Sequence, residues 1–284
     1  MILDTIAESA RRRVEAGKQR KPVEQMMREA FSCVERERAE QEIAERNMSG
    51  GHAADVNIGG RLPFEAALSG PGISFICEVK KASPSKGLIA PDFPYVEIAK
   101  EYEAAGADAI SVLTEPEFFL GSSQYLEEIH QAVGLPLLRK DFTVDPYQIY
   151  EAKTLGSSAV LLICSLLDGS RLKEYIHICE ELKLSALVEA HSEEEVSMAA
   201  GAGARIIGIN NRNLKTFEVD FSHALKLRRL VDTDTVFVAE SGIRTAEDIE
   251  ALAGAKVDAV LIGETLMRAQ DKTRALSELK GRIL

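Results

Sequence analysis

Acidic, basic and hydrogen-bonding residues stand at the ends of short apolar runs along this chain. Glu78 and Lys80 close SFICEVK, Arg139, Lys140 and Asp141 close PLLRKDF, and Glu189 closes SALVEA. Asn210 ends RIIGIN with Arg212 just beyond, Glu240 ends TVFVAE ahead of Ser241 and Gly242, and Gly263 ends DAVLIG ahead of Glu264. A charge emerging from a run such as VFVAE is costly to desolvate unless a partner or a ligand meets it. Gathered in one place, two lysines and three glutamates could protonate, deprotonate and stabilise developing charge. Gly242 and Gly263 leave backbone N–H groups open to close approach by a phosphate, although tight turns alone would also use glycine. The N–H of Glu264 could join them if its carboxylate points away. The implied chemistry is acid–base work on a small phosphorylated molecule.

Elements must bring these residues together. Eight apolar runs (the six above, DAISVL and SAVLLIC) are continuous rather than alternating, as expected for strands buried on both faces of a parallel sheet. Amphipathic helical patterns separate them. Asp145 before Pro146 reads as an N-cap followed by a first-turn proline. Ser192 with Glu195 reads as a capping box, Thr245 with Asp248 as a looser one, and Gly106 and Gly156 as helix ends. Eight strand–helix units in about 190 residues predict an α/β chain folded as a (β/α)8 TIM barrel, whose strand ends converge on one rim. A doubly wound sheet, with six or fewer strands as its norm, fits the count less well.

Ahead of the barrel, Ile2, Ile6, Ala10 and Val14 recur at helical spacing, and a second helical segment runs from Val23 towards Ala44. Its charged stretch ERERAEQEIAER predicts a solvated face. Asn47–Gly60 reads as a flexible loop with an incidental His52, and LPFEAAL as a short helix. The expected layout is a helical extension over residues 1–72 and a barrel over 73–284, together one structural domain.

The 284 residues carry 34 basic and 45 acidic side chains, a formal charge of −11, which argues against a nucleic-acid or anionic-membrane surface. No apolar stretch approaches the ~20 residues of a membrane span, and the N-terminal residues lack the apolar centre of a secretory signal; a cytoplasmic location is expected. The four cysteines form no CxxC pair, and Cys77 and Cys164 read as reduced core thiols. No GxGxxG, Walker or HExxH pattern occurs, so neither metal nor cofactor is expected. The five histidines do not cluster, and His191 reads as structural or solvent-exposed.

The segments CEVKKASPSKG, SVLTEPEFFLGS, LLRKDF, LVEAH, IGINNRNL, VAESGI and VLIGETLMR resemble, in order and spacing, the motifs of the indole-3-glycerol-phosphate synthases. The likeness runs from about Arg61 to the C-terminus, while residues 30–60 are longer and more charged than that family's pattern. It implies the substrate 1-(2-carboxyphenylamino)-1-deoxyribulose 5-phosphate, closed to an indole with loss of carbon dioxide and water. By the same resemblance, Lys140 is the general acid at the ketone oxygen and Glu189 assists later proton transfers. Glu78 and Lys80 are the acid–base and carboxylate-binding pair, and Asn210 and Ser241 orient the substrate. Arg212, Gly242 and Gly263 surround its polar groups and phosphate, with Ser83, Glu240, Leu261 and Glu264 as further contacts. Phe119 and Leu214 wall the aromatic ring, and KKASPSKGLIAP could act as a lid. The implied partner is the small phosphorylated substrate alone, in a monomer or weak homo-oligomer. A class I aldolase with a Schiff-base lysine at Lys140 or Lys80, and a barrel that binds phosphate ligands without turning them over, are the alternatives.

Overall fold

The computed structural model describes residues 2–47, 60–213 and 216–281. Leu214, His52 and most of the Asn47–Gly60 loop lie outside the described residues. All eight apolar runs form strands: β1 (Ser74–Val79), β2 (Ala109–Leu113), β3 (Leu137–Lys140), β4 (Ala159–Ile163), β5 (Ser185–Ala190), β6 (Ile206–Asn210), β7 (Val236–Glu240) and β8 (Ala259–Ile262). They pair in parallel, in sequence order, and β8 closes on β1 through registers such as Phe75↔Val260. The result is the TIM barrel.

Successive side chains on a strand face opposite ways, so each run feeds two cores. Ile76, Leu138, Leu161, Leu187, Val238 and Leu261 fill the barrel interior, with Phe64 and Leu68 in the same cluster. Their neighbours Cys77, Val160, Val188, Phe237 and Val260 pack outward against the helices. That double burial is why the runs are continuously apolar.

The N-terminal extension is two helices, α1 (Ile2–Arg20) and α2 (Val23–Asn47). Ile6, Ala7, Ala10 and Val14 form the buried face of α1. α2 lies along α6 (Tyr147–Thr154). Beyond α2, α3 (Pro63–Ala67) precedes β1, and α4 (Tyr95–Ala104) and α5 (Ser123–Ala132) follow β1 and β2. α7 (Gly169–Glu181), α8 (Glu193–Gly201), α9 (Ser222–Arg228) and α10 (Ala246–Gly254) follow β4 to β7, and α11 (Glu264–Arg268) and α12 (Lys272–Leu279) follow β8.

Capping differs from expectation in two places. Pro146 occupies the N-cap of α6 rather than its first turn, while Asp145 still accepts from the Tyr147 N–H at 2.9 Å. Ser192 accepts from the Glu195 N–H, but Glu195 answers to the N–H of His191 instead of Ser192, so no reciprocal box closes. Thr245 and Asp248 do form a full capping box. Gly106 and Gly156 have φ of 82° and 83°, the left-handed geometry that ends a helix. Cys77, Cys164 and Cys179 are buried free thiols, and burial pushes each of them up.

Two ion pairs fasten α1 to the barrel. Arg13 grips Asp141 with both terminal nitrogens, at 3.0 and 2.9 Å, and Lys18 reaches Asp145 at 2.7 Å. The Asp141 side chain is only 1% exposed. Burial pushes its carboxyl up, but Arg13, Arg139 and the Phe142 N–H outweigh that and hold it below its ordinary range. Arg13→Met is therefore expected to cost roughly 3 kcal/mol at neutral pH, the penalty of stranding a buried carboxylate. Because the folded Asp141 is depressed, its contribution is complete above the unfolded value of about 3.9 and disappears as pH falls through the lower folded value. Urea unfolding should show a wild-type advantage that is constant near neutrality and narrows only in acid. A gap unchanged down to low pH would assign the loss to packing of the Arg13 stem.

Candidate active site

The charged residues predicted at the rim sort by strand parity. Glu78, Lys140, Glu189 and Glu240 come from β1, β3, β5 and β7, each two residues beyond an interior apolar side chain: Ile76, Leu138, Leu187 and Val238. All four point inward and line one cavity of about 440 Å³. Alternate strands thus supply a ring of three carboxylates and one ammonium above an aliphatic layer. Lys140 Nζ lies 3.4 Å from Glu189 Oε2 and 3.2 Å from Glu240 Oε2. Lys80 pairs with Glu78.

Parity also removes two expected members. Arg139 and Asp141 flank Lys140 and so face away from the barrel axis. Arg139 bonds the Gln148 carbonyl and Glu151 in the helical layer, and Asp141 is held by Arg13 and Thr114. Although Asp141 borders the cavity, its oxygens are engaged in fixing α1.

The ring's electrostatics are unequal. Burial works against the Lys140 ammonium, but Glu240, Glu189 and Glu78 outweigh it and raise it above the ordinary lysine range. An amine so held is a charged proton donor, not the neutral nucleophile a Schiff base needs. Burial likewise pushes Glu189 up, but Lys140, His191 and Asn210 prevail and keep it a carboxylate. For Glu240 burial wins: with Glu189 and Glu78 adding repulsion against the pull of Lys140, its carboxyl is pushed up to about 7. Its Oε1 is buried with no hydrogen-bond partner among the described residues, in a slot left by the missing side chain of Gly208.

Around the ring the mouth is built from loops. After β1, a small antiparallel hairpin (Ala82–Ser83 with Gly87–Leu88) brings Ser83, Ser85 and Lys86 to the cavity. Phe119 lines it beside Phe142, ring centroids 6.0 Å apart. Asn210 Nδ2 is 3.4 Å from Glu189 Oε1, and its own oxygen accepts from the Arg212 N–H at 3.0 Å. The Arg212 guanidinium also reaches the Phe217 carbonyl. Ser241 and Gly242, with φ of 67° and 83°, turn the chain sharply off β7. Gly263 and Thr265 line the far wall, and the Glu264 carboxylate is drawn to Lys86 and Arg268, at 3.4 and 3.2 Å.

Every residue to which the resemblance gives a role borders this one cavity except Leu214, which lies outside the described residues. Sequence reasoning missed its aliphatic and cationic complement. Ile2, Leu3 and Ile6 of α1 wall one side, Leu113, Leu161 and Ile163 line the interior, Lys86 and Arg268 stand beside Glu264, and Arg244 also borders the cavity. The interior aliphatics share the parity of the ring and could have been found from it; the α1 wall has no local signal. Among the described residues no group of three or more His, Cys, Asp or Glu could hold a metal ion, and no helix is long and apolar enough to cross a membrane.

A parallel barrel with an acid–base ring at the carboxyl ends of its strands, an aliphatic interior and a glycine-flanked far wall defines an enzyme of the barrel class working on small molecules. Solved barrels align over most of the chain: KGPDC from Streptococcus mutans (TM-score 0.58, 14% identity, 74% of this chain and 96% of that one), and 3-hexulose-6-phosphate synthase from Salmonella typhimurium (TM-score 0.61, 12% identity, 74% and 97%). These establish the fold alone. The family model for indole-3-glycerol phosphate synthase matches residues 23–279. An indole-3-glycerol phosphate synthase of Ruminiclostridium cellulolyticum is 63% identical over 218 residues, 77% of this chain and 84% of the relative. One from Lachnoclostridium phytofermentans is 50% identical over 281 residues, 99% of each. The chain belongs to the indole-3-glycerol phosphate synthase family, decarboxylating lyases of tryptophan biosynthesis.

Proposed function

We propose that the inward ring carries out the family reaction by general acid–base catalysis, with Lys140 as the acid that protonates the ketone oxygen while the carboxylate-bearing ring carbon attacks. The observation that carries this reading is Lys140 itself: a half-buried ammonium lining the cavity, 3.4 and 3.2 Å from Glu189 and Glu240. Such a group both neutralises a developing alkoxide and supplies its proton. Glu189, kept ionised beside it, serves the later proton transfers that remove a carbon-bound proton and release the hydroxyl as water. Glu78 and Lys80 act as a pair in the acid–base and carboxylate-binding work. Asn210 and Ser241 orient the substrate, and Phe119 and Leu261 face its aromatic ring, a contact that the family resemblance alone extends to Leu214. Arg212, Gly242 and Gly263 take the polar tail and phosphate, with Ser83, Glu240 and Glu264 as neighbouring contacts. The assay is the appearance of indole fluorescence from the carboxyphenylamino substrate. A ligand that binds without any fluorescent product would replace this reading with that of a binding barrel.

The same reading makes the chain a cytoplasmic enzyme, a monomer or weak homo-oligomer, with residues 1–72 and 73–284 acting as one structural domain and no nucleic-acid partner. It also requires no metal. Turnover should survive exhaustive chelation; activity lost to EDTA and restored by a divalent ion would overturn the metal-free mechanism.

A further inference from the structure

We propose that His191 and Glu195 form the proton path between solvent and Glu189, with His191 as a positioning residue behind the catalytic carboxylate. The proposal rests on the acid–base role given to Glu189 above. Proton balance creates the need. Two protons go to the ketone oxygen, which leaves as water, and one comes off the adjoining CH2 as it becomes the indole CH. The substrate carboxylate departs as neutral carbon dioxide, so one proton enters from solvent in each turnover. Glu189 is buried in the ring and faces the cavity, so substrate filling that cavity would stand between it and solvent during turnover.

The geometry supplies one continuous line outward. Glu189 divides its oxygens: Oε2 faces Lys140, and Oε1 lies 3.3 Å from His191 Nε2 and 3.4 Å from Asn210 Nδ2. On the far side of the imidazole, Nδ1 lies 3.5 Å from Glu195 Oε2. Glu195 Oε1 in turn accepts from the hydroxyl of Ser165 at 2.7 Å, a contact open to solvent. Side-chain exposure rises along this line, from 3% at Glu189 to 18% at His191 and 21% at Glu195. His191 does not border the substrate cavity, and among the described residues its ring nitrogens meet Glu189 and Glu195 at ion-pair distance, with no formed hydrogen bond. Its backbone is pinned: its N–H donates to Glu195 at 2.6 Å, and its carbonyl lies 3.0 Å from His223 Nε2.

The titratable groups around the ring agree with a proton carrier. Glu189 and Glu195 face it from β5 and α8, Glu240 acts from β7, and His223 reaches its carbonyl. Burial opposes the imidazolium, but Glu195, Glu189 and Glu240 outweigh it and raise His191 above its ordinary range. A histidine in that state donates inward and is reloaded through Glu195.

The test uses the full chain and its carboxyphenylamino substrate. His191→Asn should lower kcat about tenfold or more with KM unchanged. In His191→Ala, added imidazole should restore part of kcat. Glu195→Gln removes the carboxylate that holds the proton on the ring, so the alkaline limb of its kcat–pH profile should move to lower pH. If His191→Ala fails to fold, the Glu195→Gln profile decides alone. Wild-type kcat and pH profile in His191→Asn and Glu195→Gln would overturn the path. So would a lower kcat with neither a moved alkaline limb nor imidazole recovery, since that is the signature of a merely structural histidine. Glu189→Gln separates the two readings: an inactive Glu189→Gln beside a normal His191→Asn defeats only the path, whereas a fully active Glu189→Gln defeats the acid–base role of Glu189 itself.

Discussion

A Lys140→Met chain is expected to fold, to retain its affinity for the substrate phosphate, and to turn over at least ~10²-fold more slowly. Methionine keeps much of the stem volume, so the apolar part of the site stays filled. What disappears is the proton and the positive charge, both required as the ketone oxygen becomes an alkoxide. Removing a cation from between two buried carboxylates would ordinarily destabilise the fold. Here Glu240 limits the damage, because its carboxyl already lies at about 7 and takes up a proton once Lys140 is gone. Chemistry and stability therefore separate, and a thermal melt run beside single-turnover fluorescence will distinguish them. A variant retaining more than about a tenth of wild-type kcat falls short of a general acid's contribution and transfers the role to Lys80.

Gly263→Ala should be nearly as damaging, and on two parameters at once. A methyl group at this position would collide with Glu78 Oε2 and come within 2.6 Å of Lys80 Nζ, so the Glu78–Lys80 pair must move. The same methyl group narrows the approach of phosphate to the wall that begins α11. We expect kcat to fall ~10²-fold through loss of acid–base geometry, and KM to rise. Gly242→Ala is the control. It meets only the tip of Val219 but suffers at φ +83°, a backbone conformation costing a side chain about 1–2 kcal/mol. Its effect should fall on KM, with kcat close to wild type. Equal kcat losses in both variants would mean that the glycines act through a shared phosphate site rather than through the Glu78–Lys80 pair.

Much of this was legible because parallel strands leave a strong trace. Runs such as AVLLI must satisfy an inner and an outer core, so they stay apolar at every position and stand out from the amphipathic helices. The ring was legible for a related reason: a carboxylate at the end of SFICEV or VFVAE has no cheap burial without a partner. The errors came from reading each strand end as a cluster instead of by alternation. Lys140 points inward, so Arg139 and Asp141 point outward, and they serve helix packing and the anchoring of α1. His191 lies two residues beyond Glu189, but β5 has ended at Ala190, and the ring tucks behind the carboxylate rather than standing above it. The wall made by Ile2, Leu3 and Ile6 depends on Arg13 meeting Asp141 across 128 residues, a contact that no local pattern encodes.

The alternation of strands has a practical meaning for redesign. Charge enters the cavity from β1, β3, β5 and β7, while β2, β4 and β8 present aliphatic side chains, among them Leu113, Leu161, Ile163 and Leu261. Reactivity and shape are thus encoded at separate addresses in the chain. A library confined to those aliphatic positions would re-form the pocket around a bulkier or substituted ring while leaving the proton-transferring groups and their mutual distances in place. Substitutions on the odd strands would instead alter what is done to whichever molecule the pocket admits.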